Sequence, residues 1–192
     1  VTGHWEPMTV VTPVYQEDPE IFRQALESWL RNGVEVICVI DVTDHECEAI
    51  ARSYGVDVIV TDVPGKRDAL RRGWEAAQTG LVALVDSDTI WADDVAEKVC
   101  EPFADPRVGG VGACQNALDP VNVWQNAADM YLDYRYYDEL AAESLVGRAV
   151  SCLSGRTAVY RTEVLRSISD EFMHETFMGV QCLSGDDKRL TM

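Results

Sequence analysis

Residues 81–89 read Leu-Val-Ala-Leu-Val-Asp-Ser-Asp-Thr, five apolar residues followed at once by four polar ones. A short, uninterrupted apolar run bounded by turn residues is typical of a strand that is buried on both faces, as in parallel sheets. Asp86 and Asp88 stand directly after this run and two positions apart, so both carboxylates can face one cavity. The stretch therefore predicts a central strand with an acidic pair at its carboxyl end.

Short apolar runs and longer amphipathic stretches alternate before this strand. Such alternation predicts an α/β fold with a mostly parallel sheet. The predicted strands span 8–14, 34–40, 56–60 and 81–85, and the predicted helices span 19–32, 44–54 and 66–78. Weaker patterns in the second half predict a helix over 93–103, a glycine-rich strand over 108–117, a long tyrosine-bearing helix over 123–145, two short strands within 151–161, a helix over 163–168 and a loop-like remainder up to 186.

The composition limits the kinds of function that are possible. The chain has 192 residues and a net charge of −17, so a surface that repels phosphate backbones argues against nucleic-acid binding. The longest apolar runs, such as 81–85, have five residues, far fewer than the roughly 20 that cross a bilayer. Residues 1–192 are predicted to form one domain. Because the chain starts at Val1 and stops just after an acidic and basic motif, we expect a piece of a longer protein.

Aromatic and cysteine side chains are expected mostly in the core. The tyrosine-bearing helix is interpreted as core with wet hydroxyl groups rather than as a platform for sugars. The six cysteines lack the close pairing of zinc ligands, so most are expected to be small buried hydrophobic residues. The tryptophans expected to pack in the core are Trp5, Trp29, Trp74 and Trp91.

Polar side chains follow each of the first four predicted strands. Tyr15 and Glu17 follow the first strand, Asp41 follows the second, Lys66 stands in the turn after the third, and Asp86 follows the fourth. In open α/β sheets, ligands bind outside the carboxyl ends of the strands. The sequence therefore predicts a ligand site at this edge of the sheet.

The pair Asp86 and Asp88 has two possible explanations. Two carboxylates so close repel each other unless a cation lies near them, and hard oxygen ligands favour Mg²⁺ or Mn²⁺. Alternatively, the pair forms a polar turn that caps backbone N–H groups. On so acidic a protein, a diphosphate ligand would need such a cation or a local group of basic residues. Residues 66–72 contain four basic residues that could serve this purpose. Alternatively, these four residues form a solvated helix face.

A second acidic pair, Asp186 and Asp187, precedes Lys188 and Arg189. These carboxylates can cap the N-terminus of a helix. One of them can instead serve as a general base, kept ionised by the basic neighbours. Both interpretations stay open at this level.

Six short motifs follow one another along the chain: Thr12-Pro13-Val14-Tyr15-Gln16-Glu17, Val39-Ile40-Asp41, Gly65-Lys66-Arg67-Asp68-Ala69, Asp86-Ser87-Asp88-Thr89, Cys152-Leu153-Ser154-Gly155-Arg156 and Gly185-Asp186-Asp187-Lys188-Arg189-Leu190-Thr191. Taken in this order, they resemble the family 2 glycosyltransferases of the GT-A fold. The resemblance is greatest to the processive hyaluronan synthase, chitin synthase and NodC group. It implies a three-layer sandwich and an inverting enzyme that transfers a sugar from a UDP-sugar to a hydroxyl of a growing glycan.

The resemblance also implies a role for each motif. The residues at the donor would be Tyr15, Glu17, Asp41, Lys66 and Asp86, those that place Mg²⁺ or Mn²⁺ on the diphosphate would be Asp88 and Asp86, those at the acceptor would be Ser154, Gly155 and Arg156, and the catalytic base would be Asp187. Relative to the family, Gln16 replaces an Asn, and the chain ends before the Gln-x-x-Arg-Trp motif and the membrane helices. Contact with a membrane, at its cytoplasmic face, is therefore expected only through segments outside this chain.

Two other functions are compatible with parts of the pattern. In a phosphatase of the haloacid-dehalogenase kind, Asp86 would be the nucleophile and Asp88 the acid and base. That motif usually follows the first strand, however, and here it follows the fourth; Ile90 also stands where Thr or Val is expected. A non-catalytic fragment that binds a nucleotide sugar is the second alternative.

Overall fold

A computed structural model describes residues 6–147, 149–182 and 185–191, and its main feature is a six-stranded sheet. Its strands are β1 (Met8–Val14), β2 (Glu35–Asp41), β3 (Asp57–Thr61), β4 (Leu81–Leu84), β5 (Gly110–Gly112) and β6 (Ala158–Arg161). They lie in the order β3-β2-β1-β4-β6-β5. The contacts among β1 to β4 are parallel, whereas β6 is antiparallel to both β4 and β5.

Helices cover both faces of this sheet. They are α1 (Pro19–Arg31), α2 (His45–Ser53), α3 (Lys66–Ala76), α4 (Val95–Cys100), α5 (Val123–Asp133), α6 (Leu140–Gly147), α7 (Thr162–Met173) and α8 (Asp186–Thr191). Successive strand residues point to opposite faces, and Val10 packs with α1 and α2 while Val11 packs with α3 and α7. The predicted three-layer α/β sandwich with a mostly parallel sheet is confirmed.

Local sequence explains how the helices near the carboxyl edge are placed. Asp18 caps α1 by accepting the backbone N–H groups of Glu20 and Ile21 at 2.9 and 3.0 Å. Helix α3 lies unusually close to β1, because a Cβ on Gly73 would come within 2.1 Å of Val11 Cγ1. This close approach needs glycine, and it sets the first residue of α3 at the edge of the sheet.

The predicted elements of the first half are all present, with ends that differ by at most two residues. The predictions for the second half were less accurate. The predicted helix over 93–103 is α4 followed by a 3₁₀ turn at Glu101–Ala104, and the predicted strand over 108–117 is reduced to β5. The predicted helix over 123–145 is α5 and α6 joined by a π-helical turn at Tyr134–Glu139, one strand rather than two lies within 151–161, and α7 extends to Met173. Helix α7 is longer because Leu165, Ser169 and Phe172 continue one buried face. The region expected to be loop-like contains a hairpin of β7 (Thr176–Phe177) and β8 (Val180–Gln181).

The prediction of a buried tyrosine helix is wrong for three of its four tyrosines. Tyr131 on α5 and Tyr134 and Tyr137 on the π-helical turn are exposed, and α5 buries none of its own side chains. Tyr136, also on that turn, is buried, and its hydroxyl donates to Gln115 Oε1 at 2.8 Å. Trp29, Trp74 and Trp91 are buried as predicted, and Trp5 lies outside the described residues.

The cysteines are less uniformly buried than expected. Cys38, Cys47 and Cys100 are buried, Cys152 and Cys182 are partly buried, and Cys114 is exposed. None of the helices in 6–147, 149–182 and 185–191 combines the length and the apolar character needed to cross a membrane.

Candidate active site

Lys66, the first residue of α3, holds two carboxylates from distant parts of the chain. Its Nζ lies 2.7 Å from Oδ1 of Asp86, just beyond β4, and 3.2 Å from Oδ2 of Asp186, the first residue of α8. The side chains of Lys66 and Asp86 are about one-third exposed, whereas Asp186 is buried. The carboxyl edge of β4 thus brings together three charged residues that the sequence keeps far apart.

The charges of this group stabilise one another. Burial lowers the pKa of the Lys66 ammonium, but Asp86 and Asp186 outweigh that effect and leave the pKa raised. Burial raises the pKa of Asp86, and Lys66 opposes part of that rise. Lys66 is therefore a firmly cationic group inside an otherwise acidic site.

Asp187 lies beside this group and faces the loop before β6. The Asp187 carboxylate lies against Gly155, where a Cβ would come within 2.5 Å of Asp187 Oδ1, and next to the Asp186 carboxyl. Burial, more than the neighbouring Asp186, raises the pKa of Asp187, while the Gly155 N–H lowers it in part. A carboxylate with a raised pKa is a stronger proton acceptor, which suits a general base.

The loop before β6 reaches this edge because β6 is antiparallel to β4. Leu84 at the end of β4 pairs with Ala158 at the start of β6, so the residues that precede β6 lie at the carboxyl edge. A small cleft results between this loop, α3 and α8. It is lined by Lys66, Leu70, Leu84, Leu153, Gly155, Ala158, Tyr160, Asp186, Asp187 and Leu190.

Glu17 and Asp41 occupy the same edge but do not line this cleft. Glu17 accepts a hydrogen bond from Ser87 Oγ at 2.6 Å, which ties the end of β1 to the turn between Asp86 and Asp88. Asp41 accepts the backbone N–H and the hydroxyl of Thr43, and these hydrogen bonds lower the pKa of Asp41. Asp41 therefore stabilises a local turn.

Tyr15, the remaining predicted donor residue, lies outside the cleft. It stands just past β1, and 65% of the residue is exposed. Its ring is thus accessible to a ligand that approaches the edge from solvent.

The two carboxylates of the predicted metal site differ in their surroundings. Asp86 pairs with Lys66, whereas Asp88 is exposed and accepts only a long hydrogen bond, 3.5 Å, from the Thr89 hydroxyl. Within the described part of the chain, no third Asp, Glu, His or Cys completes a metal-binding group. Two carboxylates suit a hard divalent cation that takes its other oxygen ligands from a bound diphosphate and water. The residues present therefore fit Mg²⁺ or Mn²⁺ as a cation shared with the ligand.

The predicted acceptor residues are only partly brought to the cleft. Gly155 lines it, while Arg156 is exposed and donates to the Ser154 hydroxyl at 3.3 Å. Ser154 is partly buried and does not line the cleft.

Tyr160, which is in none of the six motifs, and Arg67, which is in one of them but has no predicted role, also surround the site. Tyr160 is 3% exposed and lines the cleft, where burial raises the pKa of its hydroxyl. Arg67 is also buried, and its guanidinium contacts Phe172 and Glu175. The alternation of side chains along β6 could have placed Tyr160, but nothing local reveals the partners of Arg67.

Comparison with known proteins assigns the family. The sequence model of the family described as "Glycosyltransferase like family 2" matches residues 6–192. The chain therefore belongs to the family 2 glycosyltransferases, and the prediction made from its six motifs is confirmed. Membership of this family favours a glycosyltransferase over the phosphatase alternative.

One curated relative is an N-acetylglucosaminyltransferase of Rhizobium meliloti (strain 1021). It is 31% identical to this chain, and the match covers 95% of the chain and 46% of the relative. The chain spans less than half the length of the curated relatives it matches.

Solved structures share the fold. A mannosyltransferase of Pyrobaculum calidifontis, in complex with GDP-Man and Mn²⁺, has a TM-score of 0.66 at 20% identity, over 94% of this chain and 55% of that one. Glucosyl-3-phosphoglycerate synthase of Mycobacterium tuberculosis, in complex with Mn²⁺, UDP and phosphoglyceric acid, has a TM-score of 0.57 at 20% identity, over 84% and 58%. The fold is thus that of GT-A glycosyltransferases, as predicted.

Proposed function

We propose that this chain forms the catalytic domain of an inverting glycosyltransferase, which moves a sugar from a UDP-sugar to a hydroxyl of a growing glycan. The observation that carries the proposal is the meeting of Lys66, Asp86, Asp186 and Asp187 at the carboxyl end of β4. Open α/β sheets bind their ligands at that edge. Membership of the family supplies the class of reaction.

Asp187 is the general base of the proposed reaction. Its carboxylate takes the proton of the acceptor hydroxyl while the hydroxyl oxygen attacks the anomeric carbon of the donor. The bond from that carbon to the diphosphate breaks, and its electron pair leaves with UDP. The raised pKa of Asp187 and its place beside Gly155 in the cleft support this role. Ser154, Gly155 and Arg156 meet the acceptor in this arrangement.

The charge of the leaving diphosphate is met by cations at the same edge. Lys66 would contact the phosphates, because its ammonium is the cation that lines the cleft beside Asp86. Asp86 and Asp88 would hold Mg²⁺ or Mn²⁺, which when bound neutralises charge on the diphosphate. Mn²⁺ in both structures described above supports this assignment.

Tyr15, Glu17 and Asp41 are assigned to the uridine end of the donor. All three follow β1 or β2 at the ligand edge, and the Ser87 hydrogen bond joins Glu17 to the turn that carries Asp86. The exposed ring of Tyr15 is available to pack against a base. UDP in the Mycobacterium tuberculosis structure supports a uridine donor.

A hyaluronan- or chitin-like polysaccharide is the product we propose for the longer protein. Support comes from the six-motif resemblance and from the name of the Rhizobium meliloti relative. Work at the cytoplasmic face of a membrane stays a prediction from that resemblance.

The decisive experiment measures UDP release with UDP-GlcNAc, UDP-glucuronate and UDP-glucose in the presence of Mn²⁺. At least one donor should be turned over, and Asp187→Asn should lower the rate by about 10²–10⁴-fold with donor affinity within about twofold. Asp93→Asn, at an exposed carboxylate that belongs to none of the six motifs, is the control and should keep the wild-type rate. Donor binding without UDP release would instead support the non-catalytic alternative, and hydrolysis of a simple phosphate ester would support the phosphatase.

A further inference from the structure

The side chains of Lys66 and Arg67 leave α3 in different directions. Lys66 faces the cleft, whereas Arg67 is 4% exposed and reaches α7 and the chain that follows it. Its Nη1 donates to the backbone carbonyl of Phe172 at 2.9 Å, and its Nη2 donates to Oε2 of Glu175 at 2.7 Å. The guanidinium also lies over the Phe172 ring, 4.8 Å from its centroid. The start of α3 is thus anchored directly behind the site.

Glu175 connects this anchor to the helix that carries Asp187. While its Oε2 accepts from Arg67, its Oε1 lies 3.9 Å from Nε of Arg189 on α8. Arg189 also pairs with Glu171, one turn earlier on the same side, but the Glu171 side chain is 72% exposed. The Glu175 side chain is 31% exposed, and its partner Arg67 is almost fully buried. Of these two carboxylates, Glu175 is therefore the one that joins α3 to α8.

Helix α8 depends on such contacts for its orientation. It has only six residues, too few to be stable without packing. Near the loop before β6, the Thr191 hydroxyl donates to the Asp187 carbonyl and accepts the N–H of Leu153 at 2.8 Å. On the side away from that loop, Arg189 contacts Glu175 and Glu171.

We propose that Glu175 is a positioning residue, which holds Arg189 and Arg67 together and so fixes Asp187 relative to Lys66. This inference rests on the proposed function, in which Asp187 is the base and Lys66 meets the diphosphate. Glu175 contacts neither reactant and acts only through α3 and α8. Because catalysis depends steeply on the placement of reacting groups, a shift of α8 by about 1 Å can lower the rate by on the order of 100-fold.

The first test compares Glu175→Gln with Glu171→Gln in the purified protein. Glutamine keeps the shape of the side chain and removes its charge. We expect Glu175→Gln to lower kcat by about 10-fold or more, with the donor KM and the number of donor sites per chain, from titration calorimetry, unchanged. Glu171→Gln should keep wild-type kcat, since an exposed ion pair contributes little. A fall in the number of donor sites that matches the fall in kcat would show lost folding and overturn the proposal.

A double-mutant cycle tests whether Glu175 acts through Asp187. Adding Glu175→Gln to Asp187→Asn should lower the residual kcat much less than it lowers the wild-type kcat, because the group that it positions is already gone. Equal factors in both backgrounds would show that Glu175 acts independently of Asp187, and the proposal would then be wrong.

Amide hydrogen exchange separates this inference from the proposed function. In Glu175→Gln, the amides of residues 185–191 should exchange at least about 10-fold faster than in Glu171→Gln, whether or not the protein releases UDP. Unchanged exchange there would overturn the positioning role. Faster exchange in a protein that releases no UDP from any donor would leave the coupling of α3 to α8 standing and reject only the glycosyltransferase reaction.

Discussion

Gly155 and Asp187 lie so close that no side chain fits between them. A Cβ on Gly155 would come within 2.5 Å of Asp187 Oδ1 and 3.1 Å of Lys66 Nζ. This close approach puts the Gly155 backbone beside the Asp187 carboxylate, and the Gly155 N–H lowers the pKa of that carboxyl. Gly155, from the proposed acceptor motif, thus has a structural role toward Asp187, the proposed base, besides any contact with an acceptor.

Replacing Gly155 by alanine should impair the chemical step. The added methyl group would displace Asp187 and Lys66, and we expect kcat to fall by about 10²-fold. The fold should persist, because the atoms that must move are ends of flexible side chains. Gly109→Ala is the matched control, since a Cβ there meets nothing within 4 Å. Wild-type kcat in Gly155→Ala, measured by UDP release, would contradict this role for the glycine.

Removing Asp88 should abolish the effect of the metal on donor binding. The proposed cation has only Asp86 and Asp88 as protein ligands, so Asp88→Ala leaves a single carboxylate that is already paired with Lys66. Calorimetry should show that Mn²⁺ strengthens UDP binding to the wild type and not to Asp88→Ala. Chelation by EDTA should weaken UDP binding to the wild type to the level of the variant. If Mn²⁺ strengthens UDP binding to Asp88→Ala as well, the cation lies elsewhere.

The pH dependence of UDP release should report the ionisation of Asp187. Only the ionised carboxylate accepts a proton, so activity rises as the pH rises through the pKa of Asp187. Burial raises that pKa, which places the acidic limb of kcat/KM above the ordinary aspartate value of 3.8. Asp187→Asn should lose this limb, and Asp93→Asn should retain it. An identical limb in Asp187→Asn would assign the titration to another group.

Phe172 should be important for stability. It is fully buried, its ring centroid lies 5.1 Å from that of Trp74, and the Arg67 guanidinium lies over the ring. Phe172→Ala should lower the free energy of unfolding in urea by about 3–5 kcal/mol. The control, Phe177→Ala, removes a ring that is 72% exposed and should change stability by less than about 0.5 kcal/mol. A loss below about 1 kcal/mol for Phe172→Ala would contradict this packing role.

Elements that depend on local interactions were predicted correctly, and features that depend on long-range packing were not. Caps such as Asp18 and the apolar run of β4 are local signals, so the first half of the fold was predictable. Whether a helix face is covered is not a local property, and Tyr131, Tyr134 and Tyr137 were therefore wrongly placed in the core.

The candidate site shows the same division. Lys66 and Asp86 were predicted because each follows a predicted strand, and Asp187 because its motif resembles that of the family. No spacing rule connects Arg67 with Glu175 or joins Lys66 to Asp186, since those contacts exist only after α3, α7 and α8 have packed. Sequence patterns thus identified the chemistry of the edge, and tertiary packing determined which groups meet there.

The reversed direction of β6 has an evolutionary consequence. Because β6 begins at the ligand edge, the chain segment between β4 and β6 starts and ends at that edge. Insertions, deletions or new sequences in that segment can remodel the surroundings of the proposed acceptor while the parallel strands and the turn that carries Asp86 and Asp88 are inherited unchanged. Such modularity offers one scaffold a route to diverse sugar products.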